Sequence, residues 1–235
     1  MLDLLPRAFV RSLTAAWLGS SAASWRSLPV PDGPTVVTSP GDDPDRLLLI
    51  GSGIAVGYGT TTHEHALGGQ LARQLTAITG RGTRVEVISA PDMPPADLRD
   101  LLVGKHLRAL DAIIATPGGA ESLLSLRPRA WRRQVDALLD FVAANAPASL
   151  HVFFPAIPAV PSTYRIPRLL AIAIRFASGR LNRQLRHACA VHTHATFLPL
   201  EAGGGPQEAP GTYARWAASL APAVSHRLNG HLHRS

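Results

Sequence analysis

A serine that follows an apolar run is the residue best placed for nucleophilic chemistry in this chain. Ser52 lies in residues 46–59, RLLLIGSGIAVGYG, where the apolar residues 47–50 lead into a glycine-rich turn. A serine hydroxyl attacks an ester efficiently only when a neighbouring base takes its proton, and histidine is the usual base. No histidine is placed by the sequence to activate Ser52. Because this base is missing, an ester hydrolase or acyltransferase that uses Ser52 is only the alternative to a non-catalytic protein.

Three His-x-His pairs have a spacing that could indicate a metal-binding site. The pairs are His63 with His65, His192 with His194, and His231 with His233. Each pair falls in a loop, at the edge of an element or in the tail, and only Glu64 supplies an acidic partner at the spacing of a metal site. We therefore expect solvated surface histidines and no metal site.

The glycines beside Ser52 also suggest a dinucleotide-binding turn. Gly51, Gly53 and Gly57 follow the apolar run, as glycines do in such turns. The acidic residue that these sites place about 20 positions further on, at the end of the next strand, is absent. The sequence thus predicts no cofactor, and the glycines indicate a tight turn.

Predicted strands and helices alternate along the chain. Apolar runs predict five strands, at residues 47–50, 83–88, 112–116, 150–154 and 196–200. Helical spacing of apolar residues predicts helices at 67–78, 97–110, 129–146 and 213–228, and a pair of helices within 165–187. This order predicts an α/β fold of three layers, α/β/α, with a flavodoxin-like, five-stranded parallel sheet whose strand-to-helix turns meet at one edge.

We expect one main domain with a short extension at each end. Residues 1–44 are predicted to form an N-terminal extension and a Pro/Gly-rich irregular connector, residues 45–228 the domain, and residues 229–235 a tail. The apolar part of the extension, residues 13–23, is too short and too polar to span a bilayer, and it makes a poor signal peptide. A cytoplasmic protein without a transmembrane segment is the expectation, with export by a weak N-terminal signal as the alternative.

The composition and the net charge of the chain limit the classes of partner that it is expected to bind. The chain has 235 residues, 46% of them hydrophobic, enough for one sizeable core. Its net charge of +7 comes from scattered arginines, with no basic run interleaved with aromatic residues, so no nucleic-acid partner is expected. The densest basic stretch, residues 165–187, is also apolar. Helices with solvated arginines are the first interpretation there, and weak contact with an anionic membrane surface is the second.

The frame around Ser52 resembles the first block of the SGNH (GDSL) hydrolases, a hydrophobic strand ending in Gly-Asp-Ser and followed by Gly-x-Gly. Residues 48–51, Leu-Leu-Ile-Gly, match the strand, and residues 57–59, Gly-Tyr-Gly, match the second motif. The next helix carries Leu-Ala-Arg-Gln-Leu at residues 71–75. The resemblance covers about residues 46–228 and implies the SGNH hydrolase fold.

The family's catalytic positions carry other residues in this chain. Where the family has Asp-Ser, this sequence has Ser52 and Gly53. The loop glycine of the second block corresponds to Asp92, and the catalytic asparagine of the third block corresponds to Ala120, which follows Gly119. Alignment on the last helix, residues 213–217, places Gln207 at the catalytic histidine. No histidine occurs between residues 194 and 226, so a slip of this loop does not restore one.

None of the substituted residues can perform the family's chemistry. Gly53 cannot attack a carbonyl, Ala120 cannot donate a hydrogen bond to an oxyanion, and Gln207 cannot accept a proton near neutral pH. The resemblance therefore implies an SGNH-like pseudoenzyme with a binding or regulatory role, whose partner is a small molecule or a protein.

A pocket at the carboxyl edge of the sheet is expected whether or not the protein is an enzyme. Ser52, Asp92, Gly119 and Gln207 should cluster there, since each lies on a loop that follows a parallel strand. We expect Gln207 to lie within about 15 Å of Ser52, the span of an ordinary pocket. A carboxylate, a hydroxyl and an amide without a base suit a neutral polar or weakly cationic group.

Overall fold

The structure, a computed structural model, describes residues 27–118, 127–158, 168–200 and 211–232. Within these ranges the strands are β1 (Val36–Ser39), β2 (Asp45–Gly51), β3 (Thr83–Ser89), β4 (Ala112–Thr116), β5 (His151–Pro155) and β6 (Ala195–Leu198). The α-helices are α1 (Leu67–Thr79), α2 (Pro95–Val103), α3 (Pro128–Asn145), α4 (Arg168–Val191) and α5 (Thr212–Leu232). Short 3-10 turns occur at Gly53–Ala55 and Leu107–Ala109.

All six strands form a single sheet in the order β1-β3-β2-β4-β5-β6. The five strands from β2 to β6 are parallel, which confirms the predicted three-layer α/β/α architecture. The predicted count of five strands is wrong by one, because β1 pairs antiparallel with β3 at the edge of the sheet.

Strand β1 forms inside the stretch that was predicted to be an irregular connector. Its residues Val36 and Val37 are β-branched, and Val37 is buried in the core. The amide of Val87 donates to the carbonyl of Thr35 over 2.7 Å and extends the pairing. Burial of the Val37 side chain on the side of α1 favours a strand here. The surrounding Pro, Gly and Asp residues shape the turns on either side, but they do not prevent a short edge strand.

Alternate residues of β2 face opposite sides of the sheet and so divide the core in two. Leu47 and Leu49 pack with α1 and α5 on one side. Leu48 and Ile50 pack with α2, α3 and α4 on the other. All four leucine and isoleucine side chains are buried, as expected for a central parallel strand covered on both faces.

Two helices differ from their predicted extents. The described part of the stretch 165–187, residues 168–187, lies in one helix, α4, instead of a pair, and Gly179 lies inside it. An interior glycine costs about 1 kcal/mol relative to alanine, and burial of Leu181 and Leu185 offsets that cost. Helix α2 ends at Val103, and a 3-10 turn replaces the rest of the predicted helix. Across the described ranges, no helix has both the length and the apolar character needed to cross a membrane.

Candidate functional site

The carboxyl ends of three neighbouring strands are level with one another. Gly51, the last residue of β2, pairs with Ser89 of β3 on one side and with Thr116 of β4 on the other. From β2 the chain goes to β3, the neighbouring strand on one side, and then crosses back over β2 to β4, the neighbouring strand on the other side. Such a reversal of strand order opens a crevice at the carboxyl ends, and open α/β sheets bind their ligands there.

Ser52 lies at this crevice, with its side chain directed into the sheet edge. Its amide donates to the carbonyl of Thr116 over 2.9 Å, and its hydroxyl donates to the same oxygen over 3.5 Å. The residue is only 3% exposed. None of the histidines that the structure describes hydrogen-bonds to this hydroxyl, so the described partners of Ser52 provide no base.

Gly51 and Gly53 both have positive φ angles but differ in the space around them. At Gly51, with φ of 138°, a Cβ atom would collide with the carbonyl oxygen of Thr116. At Gly53, with φ of 61°, a Cβ atom would meet no heavy atom within 4 Å among the described residues. Among the described residues, the space next to Gly53 is therefore open, and Gly53 itself carries no side chain.

Backbone hydrogen bonds connect the loops that follow β2, β3 and β4. The amide of Ala90 donates to the carbonyl of Gly51 over 3.0 Å, and the amide of Gly118 donates to the carbonyl of Met93 over 2.8 Å. Met93 and Gly118 also form an isolated bridge. Asp92, next to Met93, is half-buried. The loop that bears Asp92 is therefore held against the loops of Gly51 and Gly118.

A second glycine turn, Gly57 to Gly59, is held from three directions. A Cβ atom on Gly57 would lie 2.7 Å from Pro31 and 2.9 Å from Ala66. The amide of Gly59 donates to the carbonyl of Pro29 over 2.8 Å. The hydroxyl of Tyr213, in the first turn of α5, donates to the carbonyl of Tyr58 over 2.9 Å. This last bond fixes the start of α5 beside the turn that follows β2.

His63 is buried, and the prediction of a solvated histidine is wrong for it. Its Nδ1 atom is inaccessible to solvent and has no hydrogen-bond partner among the described residues. Burial lowers the pKa of the imidazole, because the charged form loses its hydration, while the carboxylate of Glu64 opposes the shift. His63 is therefore held as a neutral ring between the second glycine turn and α1.

The second histidine pair packs against α3 and is also not fully solvated. The Nε2 atom of His192 lies 3.3 Å from a carboxylate oxygen of Asp136, and His194 Nε2 lies 3.1 Å from the carbonyl of Leu139. Both residues thus connect the end of α4 to α3. Of the third pair, the side chain of His231 and all of His233 lie outside the described residues. In the described part of the chain, no three His, Cys, Asp or Glu residues are grouped as a metal site would require.

Gly119, Ala120 and Gln207 lie outside the described residues, so their predicted places around the pocket stay predictions. Sequence reasoning missed Thr116, the residue that receives both hydrogen bonds from Ser52. Its position as the last residue of a predicted strand was the available signal. Sequence reasoning also placed Tyr213 only as the start of a helix, and nothing in the sequence indicates its bond to Tyr58.

Solved structures of esterases and lipases share this fold. An aryl esterase from M. smegmatis is 17% identical with a TM-score of 0.54, and the match covers 79% of this chain and 99% of the esterase. A phospholipase A1 from Streptomyces albidoflavus is 15% identical with a TM-score of 0.50, over 80% and 99% of the two chains. A protein described as a GDSL-like lipase from Bacteroides ovatus is 13% identical with a TM-score of 0.56, over 79% and 54%.

No protein-family model matches this sequence, and no curated protein is significantly similar to it. At these low identities the structural likeness establishes the SGNH hydrolase fold, which the sequence resemblance had implied.

Proposed function

We propose that this chain is a non-catalytic, SGNH-hydrolase-like protein that uses the crevice between β2 and β4 for binding or regulation. The observation that carries the proposal is Gly53. By its resemblance to the SGNH frame it stands where the nucleophile is expected, it has no side chain, and a Cβ atom there would meet no heavy atom within 4 Å among the described residues. Loss of the nucleophile or the base alone lowers turnover about a million-fold in a well-studied serine protease.

Ser52 is the one hydroxyl that supports the alternative, an ester hydrolase or acyltransferase. Attack on an ester requires the hydroxyl to reach the carbonyl carbon and to lose its proton to a base. The Ser52 hydroxyl is buried and already donates to Thr116, and no described histidine contacts it. A displaced nucleophile would have to break this bond and leave the sheet edge before any substrate could reach it.

The pocket that this proposal describes favours a neutral polar or weakly cationic ligand. No described residue fills the space next to Gly53, and the bonds of Ala90 and Gly118 join the loop that bears Asp92 to the loops that follow β2 and β4. An ionised Asp92 would oppose the negative charge that develops on an ester carbonyl during attack, by roughly 1 to 4 kcal/mol at about 4 Å. The same carboxylate would attract an amine or accept a hydrogen bond from a hydroxyl.

Ester turnover by the purified full-length chain tests the proposal. The chain and its Ser52→Ala variant are assayed with p-nitrophenyl acetate and butyrate, beside an active GDSL esterase as a positive control. We expect both proteins to match the buffer rate. Turnover by the parent chain that Ser52→Ala abolishes would establish the alternative.

Ligand binding is tested separately from turnover. A panel of small amines, polyols and amides is screened by thermal unfolding, with Asp92→Asn as the matched variant. The expected result is stabilisation by an amine or a neutral polar compound that weakens in Asp92→Asn. If only anions stabilise the chain, the assignment of Asp92 to the pocket is wrong.

A further inference from the structure

A cleft lined mainly by basic side chains lies between the start of α3 and the middle of α4. Its volume is about 680 Å³, and its lining residues are Arg127, Pro128, Arg129, Arg180, Arg183, Gln184 and His187. Arg127, Arg129 and Arg183 form no ion pair with any carboxylate in the part of the chain that the structure describes. Helix α4 itself contains no Asp or Glu. The three arginines without a described ion pair, Arg127, Arg129 and Arg183, give the cleft a strong attraction for anions.

Exposed apolar side chains continue the same face of α4. Ile172 and Phe176 precede Arg180 at intervals of four residues, and Arg183 and His187 follow it, so all five side chains project from one side of the helix. Ile172 is 40% exposed and Phe176 is 58% exposed. We call this surface, together with Arg127 and Arg129, the α4 face. Its N-terminal half is apolar and its C-terminal half is basic.

The apolar half of the α4 face extends beyond the sheet. Asn182 accepts a hydrogen bond of 2.8 Å from the amide of Ile157 and donates one of 2.9 Å to the Ile157 carbonyl. Ile157 lies just past the end of β5, so Asn182 is level with the carboxyl edge of the sheet. A helix that follows a parallel strand runs back toward the amino edge. The residues of α4 before Asn182 therefore lie on the carboxyl side of the sheet edge.

We propose that the α4 face docks the protein on membranes that contain anionic phospholipids. The arginines bind the lipid phosphates, and Ile172 and Phe176 insert among the acyl chains near the headgroups. This occupant explains both halves of the face, whereas a free phosphate ester explains the arginines but leaves the apolar half in water. Docking in this way brings the carboxyl edge of the sheet, where the crevice opens, close to the lipid surface. The proposal is independent of whether the crevice is catalytic.

Co-sedimentation of the full-length chain with lipid vesicles tests the docking surface. Vesicles of phosphatidylcholine alone are compared with an equal mixture of phosphatidylcholine and phosphatidylglycerol. We expect binding to the mixed vesicles only, and we expect it to weaken as salt is added, because salt screens the attraction between arginines and phosphates. Absence of binding to the mixed vesicles overturns the proposal.

Matched variants test each half of the α4 face. Arg127→Gln/Arg183→Gln should lower the vesicle partition coefficient about 30-fold, the factor expected for two basic residues at an anionic surface. Arg84→Gln/Arg227→Gln removes the same charge from exposed positions elsewhere and should lower it far less. Phe176→Ser should lower it about tenfold through lost apolar burial. Equal losses in both arginine variants would mean that net charge, not the α4 face, drives binding.

Two competitors distinguish lipid from other anions. Soluble glycerol phosphate and a short RNA duplex are added to the vesicle assay, and each is titrated alone against the protein. We expect neither to displace the protein from vesicles at matched phosphate concentration. If glycerol phosphate displaces the protein and Phe176→Ser has no effect, the face is a site for a free phosphate. If RNA binds through Arg127 and Arg183 more tightly than the vesicles do, the face is a nucleic-acid surface. Either result overturns membrane docking. Thermal unfolding of every variant verifies that the fold is intact.

Discussion

Ser52 and Thr116 join the ends of two parallel strands: the amide and the hydroxyl of Ser52 both donate to the Thr116 carbonyl, over 2.9 Å and 3.5 Å. The hydroxyl of Thr116 in turn donates to the carbonyl of Ile50 over 3.4 Å. The one serine at the expected turn is thus part of the backbone connection between β2 and β4. In this arrangement it closes the strand ends and does not project into the crevice.

Replacement of Ser52 by alanine measures the structural contribution of its hydroxyl. The Thr116 carbonyl keeps the hydrogen bond from the Ser52 amide, so we expect Ser52→Ala to lower the free energy of unfolding by only about 1 kcal/mol. Urea denaturation gives the value. A loss of several kcal/mol would mean that the hydroxyl has a stronger partner than the 3.5 Å bond to Thr116.

Alanine substitutions at the two glycines that flank Ser52 should differ in cost. Gly53→Ala places a side chain at positive φ with no described heavy atom within 4 Å, and it should cost about 1 to 2 kcal/mol from backbone strain alone. Gly51→Ala also forces a Cβ atom against the Thr116 carbonyl and should cost about 2 kcal/mol more. Denaturant unfolding of both variants measures the difference, and equal costs would contradict the close approach at Gly51.

The sheet and its layers could be predicted because the sequence of β2 is simple. Four consecutive apolar residues bounded by glycine leave few alternatives to a central parallel strand, and helical spacing in α1 and α3 supports the alternation. Strand β1 could not be predicted in the same way. It is short, it lies among turn-forming residues, and it becomes favourable only when β3 and α1 are already in place.

The meeting of the loops that bear Ser52 and Asp92 could be predicted, but the contacts within these loops could not. Parallel topology alone places the loops of Ser52 and Asp92 at one edge. The direction of the Ser52 side chain depends on the dihedral angles of Gly51 and on the Thr116 carbonyl, which come from tertiary pairing. Burial of His63 is likewise a tertiary effect, because its polar neighbours in residues 60–65 suggest a solvated loop.

His63 should make stability depend on pH. Burial lowers its pKa in the folded state below the ordinary value of 6.5, so the unfolded chain takes up the proton first as the pH falls. The contribution of neutral His63 to the free energy of unfolding should therefore have its full value above pH 6.5. It should decrease as the pH falls through that value, by about 1.4 kcal/mol in total for each unit of pKa shift. His63→Gln should reduce this slope in urea titrations between neutral and mildly acidic pH.

The exposed His65 provides the control for that measurement. His65→Gln changes a histidine in the same loop without opening the buried space around His63. An unchanged slope in His63→Gln would show that the acid sensitivity arises elsewhere in the chain.

Arg81 joins three elements, and its removal should destabilise the fold. It contacts both carboxylate oxygens of Asp45, at 2.7 and 3.0 Å, and donates to Asn229 of α5 over 3.0 Å. Burial raises the pKa of Asp45, while Arg81 opposes the rise. Arg81→Gln leaves this carboxylate buried with weaker compensation, and we expect a loss of about 3 kcal/mol at neutral pH.

The loss in Arg81→Gln should shrink in acid, because the pKa of Asp45 in the folded chain lies above its ordinary value of 3.8, and protonation as the pH falls through that raised pKa neutralises the carboxylate. Arg99→Gln is the matched control, since the Arg99–Asp100 pair is 44% and 64% exposed against 15% and 8% for Arg81–Asp45. It should cost less than about 1 kcal/mol. Similar losses in both variants would contradict the assignment of Arg81 as a buried connection.

Reaction with an activated phosphonate tests the central claim, the absence of a catalytic serine, most directly. Fluorophosphonates attach covalently to a serine hydroxyl that a base activates, and intact-protein mass spectrometry detects a single adduct without any knowledge of the substrate. An active GDSL esterase treated in parallel serves as the positive control. We expect the mass of the full-length chain to remain unchanged while the control reacts fully; a single adduct that peptide mapping places on Ser52, and that Ser52→Ala removes, would contradict the account.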